Sequence, residues 1–280
     1  MFPMYKTIKD FEVKGKKVLV RLDLNVPIKD GEVKDFTRIN AVLDTINYIS
    51  ENNGKAILMS HLGRPEGKDP KLSLVPVCTA LSEKLNKIVE MAPDCVGDEV
   101  ETLVENMKDG DILLLENLRF HEGEKSNEKE FIEKLAKLAD IYINDAFGTA
   151  HRQQASTYGV CLKLKEQGKD VGAGLLMDKE LQLWKPIVEG KGKGVAIVAG
   201  AKLKEKVKAA KKFSTKFDRV ILGGVTANVF LKAAGFEIGN SKYLEKDKDY
   251  TEDAKTVLEE ADNIILPSKV ILAGTDFKRK

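Results

Sequence analysis

The stretch KAILMSHLGRP, Lys55 to Pro65, indicates both the fold class and the place where a ligand would bind. It begins with an apolar run typical of a buried strand and becomes polar at Ser60 and His61. Buried parallel strands that end in such turns are where open α/β sheets place their ligands. Gly63 would let the backbone approach a guest, and His61 and Arg64 can both donate hydrogen bonds to an anion. The stretch therefore predicts an anion site at the end of a parallel strand.

The same arrangement of an apolar run followed by a polar turn recurs along the first half of the chain. Lys17 to Leu22, Asp111 to Glu116 and Ile141 to Asp145 are the other clear strands. Between them lie segments with apolar residues at helical spacing, such as Arg38 to about Glu51, for which Thr37 is the expected cap. Alternation of strands and helices predicts a parallel sheet with helices on both faces.

The length of 280 residues predicts two lobes rather than one. A helix within Gly172 to Val188 is interpreted as the joint between them. The second lobe then has strands at Val195 to Val198, Arg219 to Leu222 and Asn263 to Leu266, with Val270 to Leu272 as a further apolar run. Three or four strands are few for an independent doubly wound domain. The predicted fold is thus two Rossmann-like parallel-sheet lobes joined by a helix, the second lobe incomplete.

The composition excludes several classes of protein. With 42% hydrophobic and 32% charged residues, the chain is expected to be soluble and globular. A net charge of +2 gives no strong electrostatic case for nucleic acid. No apolar run approaches the roughly 20 residues needed to span a bilayer. The N-terminus becomes charged too quickly for a secretory signal, and the three cysteines are widely spaced. Reduced thiols in a cytoplasmic protein are the simplest interpretation.

Arginine is rare and unevenly placed. Of 46 basic residues only 7 are arginine, and five of these lie within the first 152 residues. Four of the five sit at or just beyond the end of an apolar run. A planar, bidentate guanidinium suits carboxylate and phosphate, so this placement favours anion recognition over general solubility. The alternative is chance placement in a lysine-rich chain.

Several residues near the predicted strand ends of the first lobe are candidates for an anion site. His61, Arg64, Arg119 and Arg152 would repel one another without an anion between them, and phosphate is the natural guest. Arg38 starts a helix, where a cation is unfavourable, so a positional role is indicated. Arg21 is interpreted as the structural partner of a carboxylate. His121 and His151 are interpreted as capping or core residues.

Asp23 and Asn25 follow the first strand, two residues apart, so in extended chain they point the same way. They could accept hydrogen bonds from a small hydroxy-acid ligand. The alternative is turn chemistry, since both residue types favour turns.

The second lobe offers a glycine turn and two lysines. Ala199-Gly200-Ala201-Lys202 follows a strand and opens a helix, and Lys206 lies one turn further on the same face. Such a turn at a helix N-terminus suits nucleotide phosphates, and Gly223 and Gly224 would let backbone approach the same ligand. The alternative is a solvated basic face. The chain has neither a P-loop nor a dinucleotide fingerprint, and no metal site is predicted because His and Cys do not cluster at metal spacing.

Taken together, six motifs resemble the phosphoglycerate kinase family: RLDLNVP, FTRI, SHLGRP, LLLENLRFHEGE, INDAFGTAHR with the following ST, and GAK with Lys206. They occur in family order over residues 1 to about 240. The resemblance implies a 3-phosphoglycerate-binding domain at 1–173, an interdomain helix at 174–190 and a partial nucleotide-binding domain at 191–280. It also implies reversible transfer of the acyl phosphate of 1,3-bisphosphoglycerate to ADP, and a monomer.

The resemblance also implies a role for each candidate residue. Asp23 and Asn25 would hold the carboxyl and hydroxyl end of the glycerate, and Arg38 would reach the reacting carboxyl. The distal phosphate would be held by His61, Arg64, Arg119 and Arg152.

The same resemblance assigns the nucleotide side. Lys202 would guide the transferring phosphoryl group, and Lys206 would bind the phosphates of ATP or ADP, which carry Mg²⁺, beside Gly223 and Gly224. The family pattern continues beyond Lys280, and its Mg²⁺-contacting Asp lies in that further part. We therefore expect a C-terminally shortened family member. It is either an enzyme, shortened or completed by a separate C-terminal fragment, or a non-catalytic remnant that binds 3-phosphoglycerate or a partner chain. A gene fragment is a third possibility.

Overall fold

The computed structural model describes residues 4–189 and 194–271 of the chain. These residues form two compact units, a first unit that ends at Gln182 and a second unit that begins at Leu183. Both units contain parallel sheets and helices, so the predicted α/β class is confirmed. The division falls within one helix, and the functional limits at 173 and 190 stay a prediction. In the described part of the chain, no helix has the length and apolar composition needed to cross a membrane.

The strands of the first unit are β1 (Lys17–Leu22), β2 (Ile28–Lys29), β3 (Glu32–Val33), β4 (Lys55–Met59), β5 (Val89–Met91), β6 (Ile112–Leu114), β7 (Ile141–Asp145) and β8 (Asp170–Ala173). Six of them form a parallel sheet in the order β5-β6-β4-β1-β7-β8, and β2 and β3 form a separate antiparallel pair. In the centre of the sheet, Val20 lies between Leu58 of β4 and Ile143 of β7. Because the strands are parallel, their carboxyl ends meet at one edge, where ligands bind in such sheets.

The helices of the first unit are α1 (Thr37–Glu51), α2 (Val75–Leu85), α3 (Asp98–Asn106), α4 (Glu122–Ser126), α5 (Lys129–Lys137), α6 (Val160–Glu166) and the first part of α7 (Leu175–Glu189). They cover both faces of the sheet. Val18 and Val20 of β1 pack in one buried cluster with Ile46 of α1, whereas Leu19 packs in another with Phe131 of α5. Successive strand residues point to opposite faces, so one apolar run supplies both cores.

The second unit contains strands β9 (Val195–Ala199), β10 (Arg219–Gly223) and β11 (Ile264–Ile265) and helices α8 (Leu203–Ser214), α9 (Gly224–Ala233) and α10 (Thr251–Glu260). The strands form a parallel sheet in the order β11-β10-β9. One face is buried against the three helices. The other face is exposed, and we call it the uncovered face; it consists of Val195, Ile197, Ile221 and Ile265.

The structure differs from the predicted elements in a few places. Strand β8 and helix α6 were not predicted, since β8 is a short edge strand that contains Gly172, and α6 follows a π-helical turn. The predicted cap Thr37 is instead the first residue of α1, and the Asp35 carboxylate accepts a hydrogen bond of 2.8 Å from its amide. Val270 and Ile271 belong to no strand, and Leu272 lies outside the described residues.

Candidate functional site

A cavity of about 450 Å³ lies beside the carboxyl ends of β1, β4, β6 and β7 in the first unit. We call it the cationic cavity; it is lined by Asn25, His61, Gly63, Arg64, Arg119, Lys125, Arg152 and Gln154. Four of these residues are cations, and none of the described residues that line the cavity carries a carboxylate. The structure thus brings together five residues that the sequence predicts as substrate ligands: Asn25, His61, Arg64, Arg119 and Arg152. Their charge suits an anion.

The turn after β4 lines the cavity with His61, Gly63 and Arg64, and hydrogen bonds to both sides of Gly63 hold it in place. The Asn25 side chain accepts a hydrogen bond of 2.9 Å from the Gly63 amide, and Arg119 donates one of 2.6 Å to the Gly63 carbonyl. Gly63 has a φ of +63°, and a β-carbon there would lie 2.8 Å from the Leu72 side chain. Glycine is therefore favoured at this turn, chiefly by the positive φ, because the end of the Leu72 side chain could move aside for a β-carbon.

His61 is buried, with 4% of its surface exposed, and Arg21 donates a hydrogen bond of 2.9 Å to its Nδ1. Burial, together with the positive charges of Arg21, Arg119, Arg152 and Arg38, lowers the pKa of His61 to about 2. An imidazole in this setting stays neutral at physiological pH. The cavity therefore combines permanent cations with a neutral imidazole.

The arginines of the cavity repel one another. Burial and the charges of Arg152 and Arg21 lower the pKa of the Arg119 guanidinium. Within the described part of the chain, neither Arg64 nor Arg152 forms a side-chain ion pair. Like charges that converge without a carboxylate are costly unless an anion lies between them, which marks the cavity as a binding site.

Asp23 and Arg38, two further predicted site residues, do not line the cavity but pair with each other. Arg38 Nη1 donates a hydrogen bond of 2.7 Å to Asp23 Oδ1, and the Arg38 side chain is 49% exposed. Asp23 Oδ1 also accepts a bond of 3.3 Å from the Asn25 amide, so the pair belongs to the same turn as Asn25. The Arg38 side chain is therefore open to solvent, whereas the Asp23 side chain is only 21% exposed.

Three residues take roles that the sequence did not indicate. The prediction that Arg21 pairs with a carboxylate is not met by its hydrogen bonds. Arg21 donates instead to Ser156 Oγ, the Leu22 carbonyl and His61. Lys125 and Gln154 line the cavity and were missed. The signal for Gln154 was its position two residues after Arg152, and that for Lys125 was its place directly after the HEGE motif.

The other two histidines are not at the cavity wall. His121 lies at the cap position of α4, where its Nε2 is 2.5 Å from an Asp94 oxygen and its ring stacks on Phe131. His151 is exposed. Among the described residues, Asp94, Cys95 and His121 form a group with metal-ligand chemistry, within 4.8 Å of one another. Since Asp94 pairs with His121, and the Cys95 thiol donates to the Glu116 carbonyl, these ligand atoms already have partners.

The candidate nucleotide residues of the second unit gather beside the ends of β9 and β10. Gly200 and Gly224 both have positive φ, +127° and +56°. A β-carbon on Gly224 would lie 3.5 Å from the Gly200 amide nitrogen, and Gly223, the last residue of β10, pairs in register with Ala199. The two strand ends therefore present adjacent glycine turns that leave backbone accessible to a ligand.

Two lysines stand beside these turns. Lys202 occupies the cap position of α8, and its carbonyl accepts a hydrogen bond of 3.0 Å from the Lys206 amide. The Lys206 Cε atom would lie 3.4 Å from a β-carbon on Gly200, so this side chain lies against the turn. Glycine turns, a helix N-terminus and lysines form an environment that suits phosphate groups.

Comparison with known proteins identifies the family. The model of the family described as "Phosphoglycerate kinase" matches residues 8–280. The chain belongs to the phosphoglycerate kinase family. A phosphoglycerate kinase of Aquifex aeolicus (strain VF5) is 46% identical over 250 residues, and one of Dictyoglomus turgidum is 47% identical over 242 residues. These alignments cover 89% and 86% of this chain.

Solved structures of the family have the same fold. The phosphoglycerate kinase of Coxiella burnetii superposes with a TM-score of 0.85 at 33% identity, and that of Pyrococcus horikoshii OT3 with a TM-score of 0.80 at 31% identity. Both superpositions include 99% of this chain but 70% of the other chain. The matches to the two sequence relatives span 62% and 60% of their lengths. The chain therefore corresponds to about three fifths of a phosphoglycerate kinase of this kind.

Proposed function

We propose that the chain serves the phosphoglycerate kinase reaction, in which a phosphoryl group is transferred reversibly between 1,3-bisphosphoglycerate and ADP to give 3-phosphoglycerate and ATP. In this proposal the reaction belongs to glycolysis and takes place in the cytoplasm. The observation that carries the proposal is the cationic cavity at the carboxyl edge of the first unit. Family membership supplies the identity of the anion that the cavity would bind.

The phosphate of 3-phosphoglycerate is assigned to the cationic cavity. Arg64, Arg119 and Arg152 neutralise its charge, and His61 adds a neutral hydrogen-bond donor. Asn25, which lines the cavity, and Asp23, on the same turn, are the groups placed to accept hydrogen bonds from the glycerate hydroxyl.

The reacting carboxyl group is assigned to Arg38. The Arg38 side chain is half exposed and pairs with Asp23, so a second carboxylate can approach the guanidinium from solvent while that pair is kept. A guanidinium there would steady the negative charge on the carboxyl oxygen as the phosphoryl group is transferred.

The nucleotide is assigned to the second unit. The turns at Gly200 and Gly224 leave backbone open, and Lys202 and Lys206 lie beside them. These residues fit the phosphates of ATP or ADP, and Mg²⁺ bound with the nucleotide would neutralise phosphate charge. In the proposal, Lys202 guides the transferring group and Lys206 holds the nucleotide phosphates, with Gly223 beside them.

The chemistry requires no protein nucleophile. A carboxylate oxygen of 3-phosphoglycerate attacks the terminal phosphorus of ATP, the bond to the bridging oxygen breaks, and ADP leaves with that electron pair. The protein's part is to hold the two reactants and neutralise their charge. Excluding water would protect the acyl phosphate from hydrolysis.

The proposal is tested by phosphoryl transfer from Mg-ATP to 3-phosphoglycerate, coupled to NADH oxidation. We expect turnover that falls at least about 100-fold in Lys202→Ala, because it loses a cation at the transferring group. Lys212→Ala, an exposed lysine of the same helix, is the matched control and should retain activity. Turnover that is equal in both variants would contradict the assignment of Lys202.

A second candidate function is binding of 3-phosphoglycerate without catalysis, and the uncovered face favours it. Apolar residues such as Ile197, 73% exposed, would normally be buried, and the match to this chain covers only 62% of the Aquifex aeolicus relative and 70% of the Coxiella burnetii structure, so the rest of each lies outside it. Binding of 3-phosphoglycerate without turnover would support this function. Turnover that appears only when the remaining C-terminal segment of a relative is added would instead indicate an enzyme completed by a separate fragment.

A further inference from the structure

The buried pair formed by His61 and Arg21 links the cationic cavity to the interior of the first unit. Arg21 is 0% exposed and donates from Nη2 to His61 Nδ1 over 2.9 Å. His61 also lines the cavity, and no described residue forms a hydrogen bond with its other ring nitrogen, Nε2. One nitrogen of the ring is therefore committed to the protein, and the other is available to a ligand.

The partner decides where the proton of the imidazole lies. A guanidinium has only donors and stays protonated in proteins. Nδ1 must therefore accept, which places the single proton of a neutral ring on Nε2. The opposite tautomer would oppose two N–H groups across 2.9 Å.

A second layer holds Arg21 in this position. Its Nε donates to Ser156 Oγ over 2.8 Å, and another nitrogen donates to the Leu22 carbonyl. Ser156 donates from Oγ and from its amide to the two oxygens of Glu124, over 2.7 and 2.9 Å. Because the hydroxyl proton is used on Glu124, the lone pairs of Ser156 Oγ face Arg21. Glu124, Ser156, Arg21 and His61 thus form one continuous chain of hydrogen bonds.

We propose that Arg21 is a positioning residue of the anion site, which holds His61 as the neutral Nε2–H tautomer so that the ring donates one hydrogen bond to bound phosphate. This inference rests on the function proposed above and deepens it. Arg21 touches no ligand, since it is fully buried behind the ring.

The charged surroundings of His61 keep the ring neutral. The groups that face it are Arg21 on β1, Arg38 on α1, Arg119 after β6 and Arg152 after β7, and all are cations. Together with burial they lower its pKa to about 2, and the carboxylate of the network, Glu124, is separated from the ring by Ser156 and Arg21. The contribution of His61 to binding should therefore not change between about pH 5 and 8. A change of affinity near pH 6 should come from the phosphate itself, whose second ionisation lies there.

Nitrogen-15 NMR of the histidine side chains tests the tautomer in the unmodified protein without ligand. The signals of His61 are those missing from His61→Gln. We expect an unprotonated Nδ1 and a protonated Nε2 that do not shift between about pH 5 and 8. A protonated Nδ1, or titration of His61 within that range, would overturn the inference.

A variant tests the second layer. Ser156→Ala removes the acceptor of Arg21 Nε, so we expect His61 to populate both tautomers and 3-phosphoglycerate to bind about 3- to 10-fold more weakly. Ser50→Ala is the matched control, because Ser50 is also a buried hydroxyl that accepts from a cation and donates to a neighbour, at Lys87 and Gly110. A single unchanged tautomer in Ser156→Ala would contradict the role of this layer.

The two proposals fail in different ways. If His61 carries the Nε2 proton but 3-phosphoglycerate does not bind, the proposed function is contradicted and the tautomer assignment stands. If the ligand binds and His61 titrates near neutral pH, the proposed function stands and the role of Arg21 is wrong.

Discussion

Arg38 donates a hydrogen bond of 2.7 Å from Nη1 to Asp23 Oδ1, and this pair stands beside the cationic cavity. The sequence indicated each residue separately as a ligand of the same substrate. In the structure they neutralise each other, with the Arg38 side chain half exposed and the Asp23 side chain 21% exposed.

This pairing predicts that Arg38→Ala weakens 3-phosphoglycerate binding with little effect on the stability of the fold. Since the Arg38 side chain is 49% exposed, water can take its place beside Asp23, so the free energy of unfolding should change by no more than about 1 kcal/mol. Loss of a charged donor to the substrate carboxylate should weaken 3-phosphoglycerate binding by about 10-fold or more, measured by calorimetry. Lys34→Ala breaks another exposed pair, with Glu32, and is the control. Equal affinity in Arg38→Ala and the control would contradict the assignment.

The close approach of Gly174 to the Asp145 carboxyl group predicts how a substitution at Gly174 changes stability. A β-carbon at Gly174 would overlap the Asp145 carboxyl group, which is buried and bonded to Thr45 Oγ1 and the Met177 amide. Gly174→Ala should therefore lower the free energy of unfolding by about 2–3 kcal/mol, as measured by urea denaturation.

Gly148→Ala is the matched control for this change. A β-carbon there would lie 3.4 Å from an Asp23 oxygen, so a carboxylate is close but not displaced. If Gly174→Ala loses no more stability than Gly148→Ala, the prediction is wrong, because the Asp145 carboxyl group then moves aside without cost.

Asp145 also predicts a pH dependence. Burial raises its pKa from 3.8 to about 6 in the folded protein. The folded state then binds a proton more readily than the unfolded state, so this group's stabilising contribution is complete below the unfolded pKa and is lost as pH rises through about 6. From about pH 4 to pH 7, the free energy of unfolding of the wild type should fall by about 2–3 kcal/mol relative to that of Asp145→Asn. Denaturation at several pH values measures this difference. A wild type that becomes more stable relative to Asp145→Asn as the pH rises would contradict the prediction.

The uncovered face of the second unit predicts self-association. Ile197 is 73% exposed in the edge strand β9, so Ile197→Lys should change the free energy of unfolding by less than about 0.5 kcal/mol. It should also reduce light scattering by concentrated protein. Ile88→Lys, at an exposed isoleucine of the first unit, is the control. Equal scattering by both variants would show that this face does not drive association.

The strands and their ends could be predicted from the sequence because their causes are local. Lys17–Leu22 and Ile141–Asp145 have the predicted limits, since each is built on a short apolar run followed by a polar turn. Parallel strands bring their carboxyl ends to one edge, so Asn25, Arg119 and Arg152 could be placed together without knowing the loops.

Contacts that depend on loop geometry could not be predicted. The bond between Arg21 and Ser156 joins residues 135 positions apart, and Asp94 meets His121 across 27 positions. Spacing along the chain contains no signal for either contact. The pairing of Arg38 with Asp23 was missed for the same reason, because it depends on how the turn after β1 meets the start of α1.

Calorimetric titration with 3-phosphoglycerate tests the central claim, that the cationic cavity binds the phosphate of this ligand. Arg64→Ala is the clearest probe, because Arg64 is exposed, lines the cavity and has no ion pair within the described residues. We predict that the wild type binds, that Arg64→Ala weakens binding at least about 10-fold, and that Arg219→Ala, an exposed arginine of the second unit, leaves it unchanged. No binding by the wild type, or equal binding by Arg64→Ala, would contradict the account.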